Sequence, residues 1–381
     1  MDSDQAEEIL HVARRKDLTE SGGGHNQKGI EFQRTWALDR MFELESLGKE
    51  DFLFLFETIQ DVAELDSSVS PSSIRIYQVK KKDRGEWKWG ELTNLVEPGK
   101  IRRKSKHPAP EIQDSPIGKL YSSVLAFEGL RSNGEFISNS GCDLPLVGGG
   151  NAATSLPCDL SNLETEHLKS LKLGLETLHA SGTLSADPSL IHVGKVHINP
   201  DAPIKYLIGT VVVFLTSRSP RHAGQAQSLV EALLAKVGPL GAKTDKCSTF
   251  EELRKERGYS RSEFASALSQ LEHLPDYLLL LEDWLSQLEL EGSINFFEKT
   301  GVRVAASKIF RLQVMNGEDP IIAPLVIEID DWLESNSLSG KISLFLESAK
   351  LDLASKFPLI RDPDFTALFL LRALKKCVAQ T

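Results

Sequence analysis

Three side chains have the types and spacing for hydrolytic chemistry on a phosphate: Asp61, and the pair Gln78 and Lys80 set two positions apart in Gln78-Val79-Lys80. Ile74 to Val79 alternates like a strand, which puts Gln78 and Lys80 on one face and Tyr77 and Val79 on the other. If the Asp61 strand pairs with it through the serine-rich turn from Ser67 to Ser73, a carboxylate, an amide oxygen and an ammonium converge at the sheet's edge. A hard divalent cation, Mg2+ or Mn2+, takes oxygen ligands, here Asp61, the Gln78 side chain and a nearby carbonyl, with water completing its shell. Such an ion polarises a phosphodiester and lowers the pKa of a bound water, while Lys80 orients that water or offsets charge growing on the phosphate. The same residue types also fit an ordinary solvated sheet edge, so the surrounding elements carry the decision.

Those elements read as α/β. Gly29 to Leu44 carries Phe32, Trp36, Leu38, Met41, Phe42 and Leu44 at roughly helical spacing. Phe52–Phe56, Asp61–Leu65 and Ile74–Val79 follow as consecutive strands of a meander. A helix over Trp87–Val96, a basic link over Lys100–Pro110, a helix over Pro116–Leu130 and a strand at Phe136–Ser138 come next. Ser161 with Glu164 forms a capping box ahead of a leucine-faced helix, and the β-branched runs His192–Ile198 and Leu207–Leu215 read as strands. Beyond about residue 225 the pattern is helical almost throughout, with Ser228–Val237, Phe250–Arg257, Arg261–Leu271, Pro275–Leu290 and Phe365–Val378 the clearest segments. The organisation expected is a flexible segment over 1–22, an α/β domain over 23–225 and a helical assembly or regulatory domain over 226–381.

The first of these domains resembles the PD-(D/E)xK, or restriction-endonuclease-like, nucleases. Within them it is similar to the endonuclease domain of bacterial anti-phage defence effectors, including the DNA-cutting effectors of cyclic-oligonucleotide signalling and the nuclease partners of HerA-type ATPases. Gly23, Gly24, Gly29, Phe32 and Gln33 carry the resemblance, followed by Glu57-x-x-x-Asp61-Val62, Gln78-Val79-Lys80, Trp89 and Leu92. It implies that Asp61 is the central metal ligand, that Gln78 replaces the commoner second carboxylate, and that Lys80 is the catalytic lysine. Glu57 and Glu31 are its candidates for the remaining acidic position. It further implies a Mg2+-dependent DNA endonuclease working in an oligomeric complex with a HerA-type ATPase.

Forty-four bases against fifty-four acids leave the 381-residue chain at −10, which excludes a uniformly basic nucleic-acid coat. Any phosphate contact is local, and from Arg75 to Lys106 eleven Lys or Arg stand against four acids. In that block Lys81, Lys82, Arg102, Arg103, Lys104 and Lys106 are the expected contacts to double-stranded DNA, of the kind that positions without reading sequence. Trp87 and Trp89 flank Lys88, where base stacking competes with packing on the sheet. Residues 251–381 hold fifteen bases and twenty-one acids, better suited to protein than to DNA, and the Leu278–Leu281 block with Trp284, Leu285 and Leu288 exceeds one helix face. Thr249/Glu252 and Ser260/Glu263 cap two helices in an arrangement that superficially resembles helix-turn-helix, but the second offers only Arg261 to a groove.

Cys142, Cys158, Cys247 and Cys377 are too scattered for a zinc site or a disulfide framework, and no stretch is apolar enough to span a bilayer. A cytoplasmic protein is expected, without membrane contact. No glycine-rich stretch ends in Gly-Lys-Ser/Thr, so energy from nucleotide hydrolysis has to come from a partner. Two rival readings share the same fold: a nuclease gated by a cyclic oligonucleotide at its C-terminal domain, and a non-cutting DNA-binding scaffold subunit of a motor complex.

Overall fold

A computed structural model describes residues 3–15, 18, 27–101, 111–155, 157–179, 185–241, 247–273, 277–314, 320–336 and 340–379. Helices α1 (Ser3–Ala13) and α2 (Gln27–Ser46) lead into β1 (Leu53–Phe56), β2 (Val62–Leu65) and β3 (Ser73–Lys80). These strands form the expected antiparallel meander, with Phe56 opposite Val62 and Val62 opposite Tyr77. Every residue of β1 is buried, which is why it reads as a continuous apolar run and not as an alternation. The serine-rich turn is tied down by Asp66, whose carboxylate accepts from the backbone of Ser72 and Ser73.

The chain continues through β4 (Trp87–Lys88), α3 (Trp89–Thr93), α4 (Pro116–Leu125), β5 (Arg131–Ser138), β6 (Cys142–Asp143), β7 (Cys158–Asp159), α5 (Thr165–Glu176) and β8 (Ile191–Lys195). The helix expected over Trp87–Val96 is therefore a short strand followed by a short helix, because Trp87 pairs with Cys142 in a small parallel ladder. Helix α4 starts on an N-cap, Ser115, which accepts from the Gly118 N–H, with Pro116 in the first turn. It carries the chain across to β5, which pairs parallel with β3 and with β8. The capping box expected at Ser161 and Glu164 is not formed: α5 begins one residue after Glu164, and Ser161 sits in a short 3-10 turn capped by Asp159.

Helices α6 (Pro203–Arg218), α7 (Ala226–Val237) and α8 (Phe250–Arg257) precede a last short strand, β9 (Gly258–Ser260). The strand expected at Leu207–Leu215 is part of α6. Leu207, Val211, Phe214 and Leu215 are buried while Val213 is 72% exposed, a period near 3.6 that overrides the β-preference of the valines. Helices α9 (Arg261–His273), α10 (Tyr277–Leu290), α11 (Phe296–Val314), α12 (Ala323–Ser335), α13 (Ile342–Leu353) and α14 (Asp362–Ala379) complete the chain, so the expected sequence of classes, α/β and then helical, is observed.

Among the described residues seven strands make one sheet in the order β7-β8-β5-β3-β2-β1-β9, and β4 pairs with β6 separately. One face of the sheet carries Ile74, Ile76 and Phe136 in a cluster with Leu120 and Tyr121 of α4, while Tyr77 packs against Trp36 of α2 with ring centroids 4.6 Å apart. Because β9 adds antiparallel to β1, a strand and not a turn separates the capped helices α8 and α9, which removes the helix-turn-helix reading. Both caps form: the Thr249 hydroxyl accepts from the Glu252 N–H, and the Ser260 N–H donates to the Glu263 carboxylate.

The chain forms two compact units, one of Met1–Thr210 with Lys236–Phe264 and the other of Val211–Ala235 with Ala265–Thr381. In the second unit α14 packs against α10, α11, α12 and α13, around Leu281, Leu285, Ile329, Leu346 and Phe369. The leucine block of α10 is mostly consumed there. Leu278, Leu280 and Trp284 lie against this core, and Leu279 is the exposed member.

Candidate active site

The turn between β1 and β2 presents the acidic residues. Glu57 follows Phe56 directly, and its N–H donates to the Asp61 carbonyl at 3.0 Å, closing a loop of five residues. Within it Glu57 (φ 49°) and Gln60 (φ 57°) are left-handed, a conformation that costs a side-chain-bearing residue about 1 kcal/mol or more. Packing and hydrogen bonds hold them there. Gln60 is buried and donates to the Leu18 carbonyl at 3.1 Å and to the Ser123 hydroxyl at 3.0 Å, while Arg257 at the end of α8 donates to the Glu57 carbonyl at 2.5 Å. Gly241 approaches so closely that a Cβ on it would lie 2.6 Å from the Glu57 Cβ.

Asp61 is 3% exposed, and its carboxylate accepts the Val79 N–H at 2.7 Å. The register that sets Val62 opposite Tyr77 brings Asp61 level with Gln78. Lys80 Nζ lies 3.4 Å from the Asp61 carboxylate. Gln78 is 1% exposed, with its amide nitrogen 3.5 Å from the Gln60 side-chain oxygen. The carboxylate, amide and ammonium singled out in the sequence are therefore neighbours, and Asp61 and Gln78 are buried, unlike a solvated sheet edge, while Lys80 stays partly exposed. Glu57 belongs to the same turn, and Glu31 lies half-buried on α2.

Two side chains of α2 reach this region. Gln33 donates to the Val79 carbonyl at 3.4 Å, so the residue between Gln78 and Lys80 is held through its N–H by Asp61 and through its carbonyl by Gln33. Arg34 is 6% exposed, donates to the Leu240 carbonyl and stacks its guanidinium 4.6 Å from the Phe56 ring centre. Burial pulls its pKa below the ordinary arginine value, and the carboxylates of Glu57 and Asp61 oppose that shift. Sequence reasoning missed Arg34, Gln60, Gly241 and Arg257. Arg34 stands in a helix buried on nearly all sides, and its partners are brought to it only by long-range folding.

The expected DNA contacts are less simply arranged. Lys81 pairs with Asp83 at 3.0 Å, and Lys82 pairs with Glu91 at 2.7 Å while lying over the Trp87 ring. Trp87 donates to the Ser138 hydroxyl and meets Phe136 edge-on, so it is engaged within the fold, and Trp89 is buried against His167. Packing, not base stacking, accounts for both rings. Arg102, Arg103, Lys104 and Lys106 lie outside the described residues.

A divalent cation fits the donor chemistry here. Among the described residues no three His, Cys, Asp or Glu side chains gather into a cage, as a structural zinc site would need. Mg2+ asks for less: one or two carboxylates with water and substrate phosphate around them, which Asp61, Glu57 and the Gln78 amide oxygen can offer.

The family model of the Cap4 dsDNA endonuclease domain matches residues 21–238. The chain belongs to that family. It is thus a DNA endonuclease of anti-phage defence, and every candidate metal or catalytic residue, from Glu31 to Lys80, falls inside the Cap4 domain. That domain also takes in α2 and strands β1 to β8, whereas β9 and helices α8 to α14 lie beyond it. No protein of curated function and no solved structure matches the chain. No helix among the described residues is long and apolar enough to cross a membrane.

Proposed function

We propose that the Cap4 domain cuts double-stranded DNA as a PD-(D/E)xK-type hydrolase, with Mg2+ or Mn2+ held by Asp61, Gln78 and Glu57. The observation that carries this reading is that buried Asp61 and Gln78 lie level with each other and Lys80 Nζ stands 3.4 Å from the Asp61 carboxylate, with Asp61 fixed by the backbone of the lysine's own strand. When bound, the ion supplies a polarised phosphate and a water acidic enough to attack near neutral pH. Asp61 holds its geometry through Val79 before any substrate arrives, so little reorganisation is left for the reaction. Lys80 presents its ammonium where it orients the attacking water and offsets charge gathering on the phosphate. Lys81, Lys82, Arg102, Arg103, Lys104 and Lys106 hold the DNA backbone in this reading, the first two by exchanging their acidic partners for phosphates.

The accompanying division of labour gives cutting to the sheet-bearing unit and assembly to the helices after Phe264. We place the chain in a homo-oligomer with a HerA-type ATPase, supported by the net acidic tail and by Leu290 and Phe297, each 83% exposed. A cytoplasmic setting is part of the same reading and suits four free thiols. Plasmid cleavage with Mg2+ tests the central claim: activity that vanishes in chelator and in Asp61→Asn is expected, and undiminished cutting by Asp61→Asn refutes the site.

A further inference from the structure

Charge summed over the site gives an unexpected balance. Glu57 and Asp61 contribute two negative charges at the β1–β2 turn, Lys80 sets one positive charge 3.4 Å from Asp61, and Arg34 brings a second beside the same turn. Arg257 brings another guanidinium to the Glu57 carbonyl. Gln78, where the resemblance would more often place a carboxylate, adds no charge at all. Before substrate arrives the site is therefore neutral or slightly positive, a poor attractor for a doubly charged cation.

Arg34 is the unusual member. Its side chain is more than nine-tenths buried, its guanidinium is pinned between the Phe56 ring and the Leu240 carbonyl, and its Nε is buried without a hydrogen-bond partner. A buried cation with an unsatisfied donor is expensive to keep. Packing alone does not explain an arginine here. Its place does: Phe56 and Leu240, which hold the guanidinium, directly precede Glu57 and the Gly241 packed against it, so the charge sits beside the acidic turn.

We propose that Arg34 is a built-in counter-charge to the acidic pair, so that the divalent cation binds tightly only together with a DNA phosphate, which supplies the negative charge that Gln78 withholds. This rests on the metal-dependent reading above. Metal and DNA then bind with positive coupling, and by linkage each raises the other's affinity by the same factor. Arg34 acts through the carboxylates and the ion, and is a positioning residue.

The test measures Mn2+ binding to the full chain by electron paramagnetic resonance, with and without saturating duplex DNA whose linkages are methylene-bridged phosphonates, charged but uncleavable. In the parent, the duplex should tighten Mn2+ binding about tenfold or more. Arg34→Met should bind Mn2+ about tenfold more tightly than the parent without DNA and lose most of the gain from the duplex, whereas Arg34→Lys, which keeps the charge, should behave like the parent. A merely structural arginine would not move the coupling in this direction. Equal parental affinity with and without the duplex overturns the proposal and needs no variant to fold. So does an Arg34→Met protein that binds Mn2+ like the parent. Mn2+ binding that survives in Asp61→Ala instead overturns the metal site itself.

Discussion

Asp61 and Val79 are joined by a 2.7 Å hydrogen bond from the valine N–H to the buried carboxylate. The acid is thereby clamped to the strand whose next residue is Lys80, and neither can shift without the other. The clamp separates two substitutions that would otherwise look alike. Asp61→Asn keeps an oxygen for Val79 but loses the charge, so cleavage should fall at least about 100-fold with little change in melting temperature. Asp61→Ala leaves a buried N–H unsatisfied and should also destabilise the fold by about 1–3 kcal/mol. Lys80→Ala should abolish cutting and leave assembly intact. Plasmid nicking paired with thermal denaturation checks all three; full activity in the asparagine variant would discard the site, and full activity in the Lys80 variant would remove the lysine from it.

Gln78 offers a second handle, because it is an amide where a carboxylate is commoner. Gln78→Glu should lower the Mg2+ concentration needed for half-maximal cutting, while Gln78→Ala should lose most activity. A Gln78→Ala protein that cleaves like the parent at limiting Mg2+ shows that the amide is not a ligand.

Gly241 is fixed by two independent constraints. Its φ of +79° disfavours any side chain, and a Cβ would come within 2.8 Å of the Phe56 carbonyl as well as striking Glu57. Gly241→Ala should cost about 1–3 kcal/mol. Because the damage falls on the turn that carries Glu57 and Asp61, activity measured well below the melting temperature should fall too. A variant that melts earlier yet cuts normally would mean that the Glu57 end of the turn does not matter for catalysis.

Neutralising Arg102, Arg103, Lys104 and Lys106 should weaken DNA binding and flatten its salt dependence by roughly 0.9 for each phosphate that is no longer neutralised. Filter binding across a salt series measures the slope. An unchanged slope would move the DNA track elsewhere.

The juxtaposition was legible in the sequence because Asp61 directly precedes β2 and Gln78-x-Lys80 ends the neighbouring strand β3, where alternation and a serine-rich turn fix the register locally. The β-branched run of α6 misled for the opposite reason. Its residue types favour a strand, and only the spacing of Leu207, Val211 and Leu215 reveals the helix. Arg34 was beyond reach, since its partners Phe56 and Leu240 lie 22 and 206 residues away in the chain. The three-residue β9 was equally hidden: a strand that short has no periodicity to read, and its place is set by pairing with β1.

That late strand has a bearing on how the enzyme comes into being. The partner of β1 is Gly258–Ser260, and the guanidinium that braces the Glu57 turn is Arg257, so both follow the end of the Cap4 domain at residue 238. A nascent chain holding only the acidic turn and the lysine strand still lacks the segment that seals the sheet's border beside them. Only a chain made through Ser260 holds both the outer partner of β1 and the brace on the Glu57 turn.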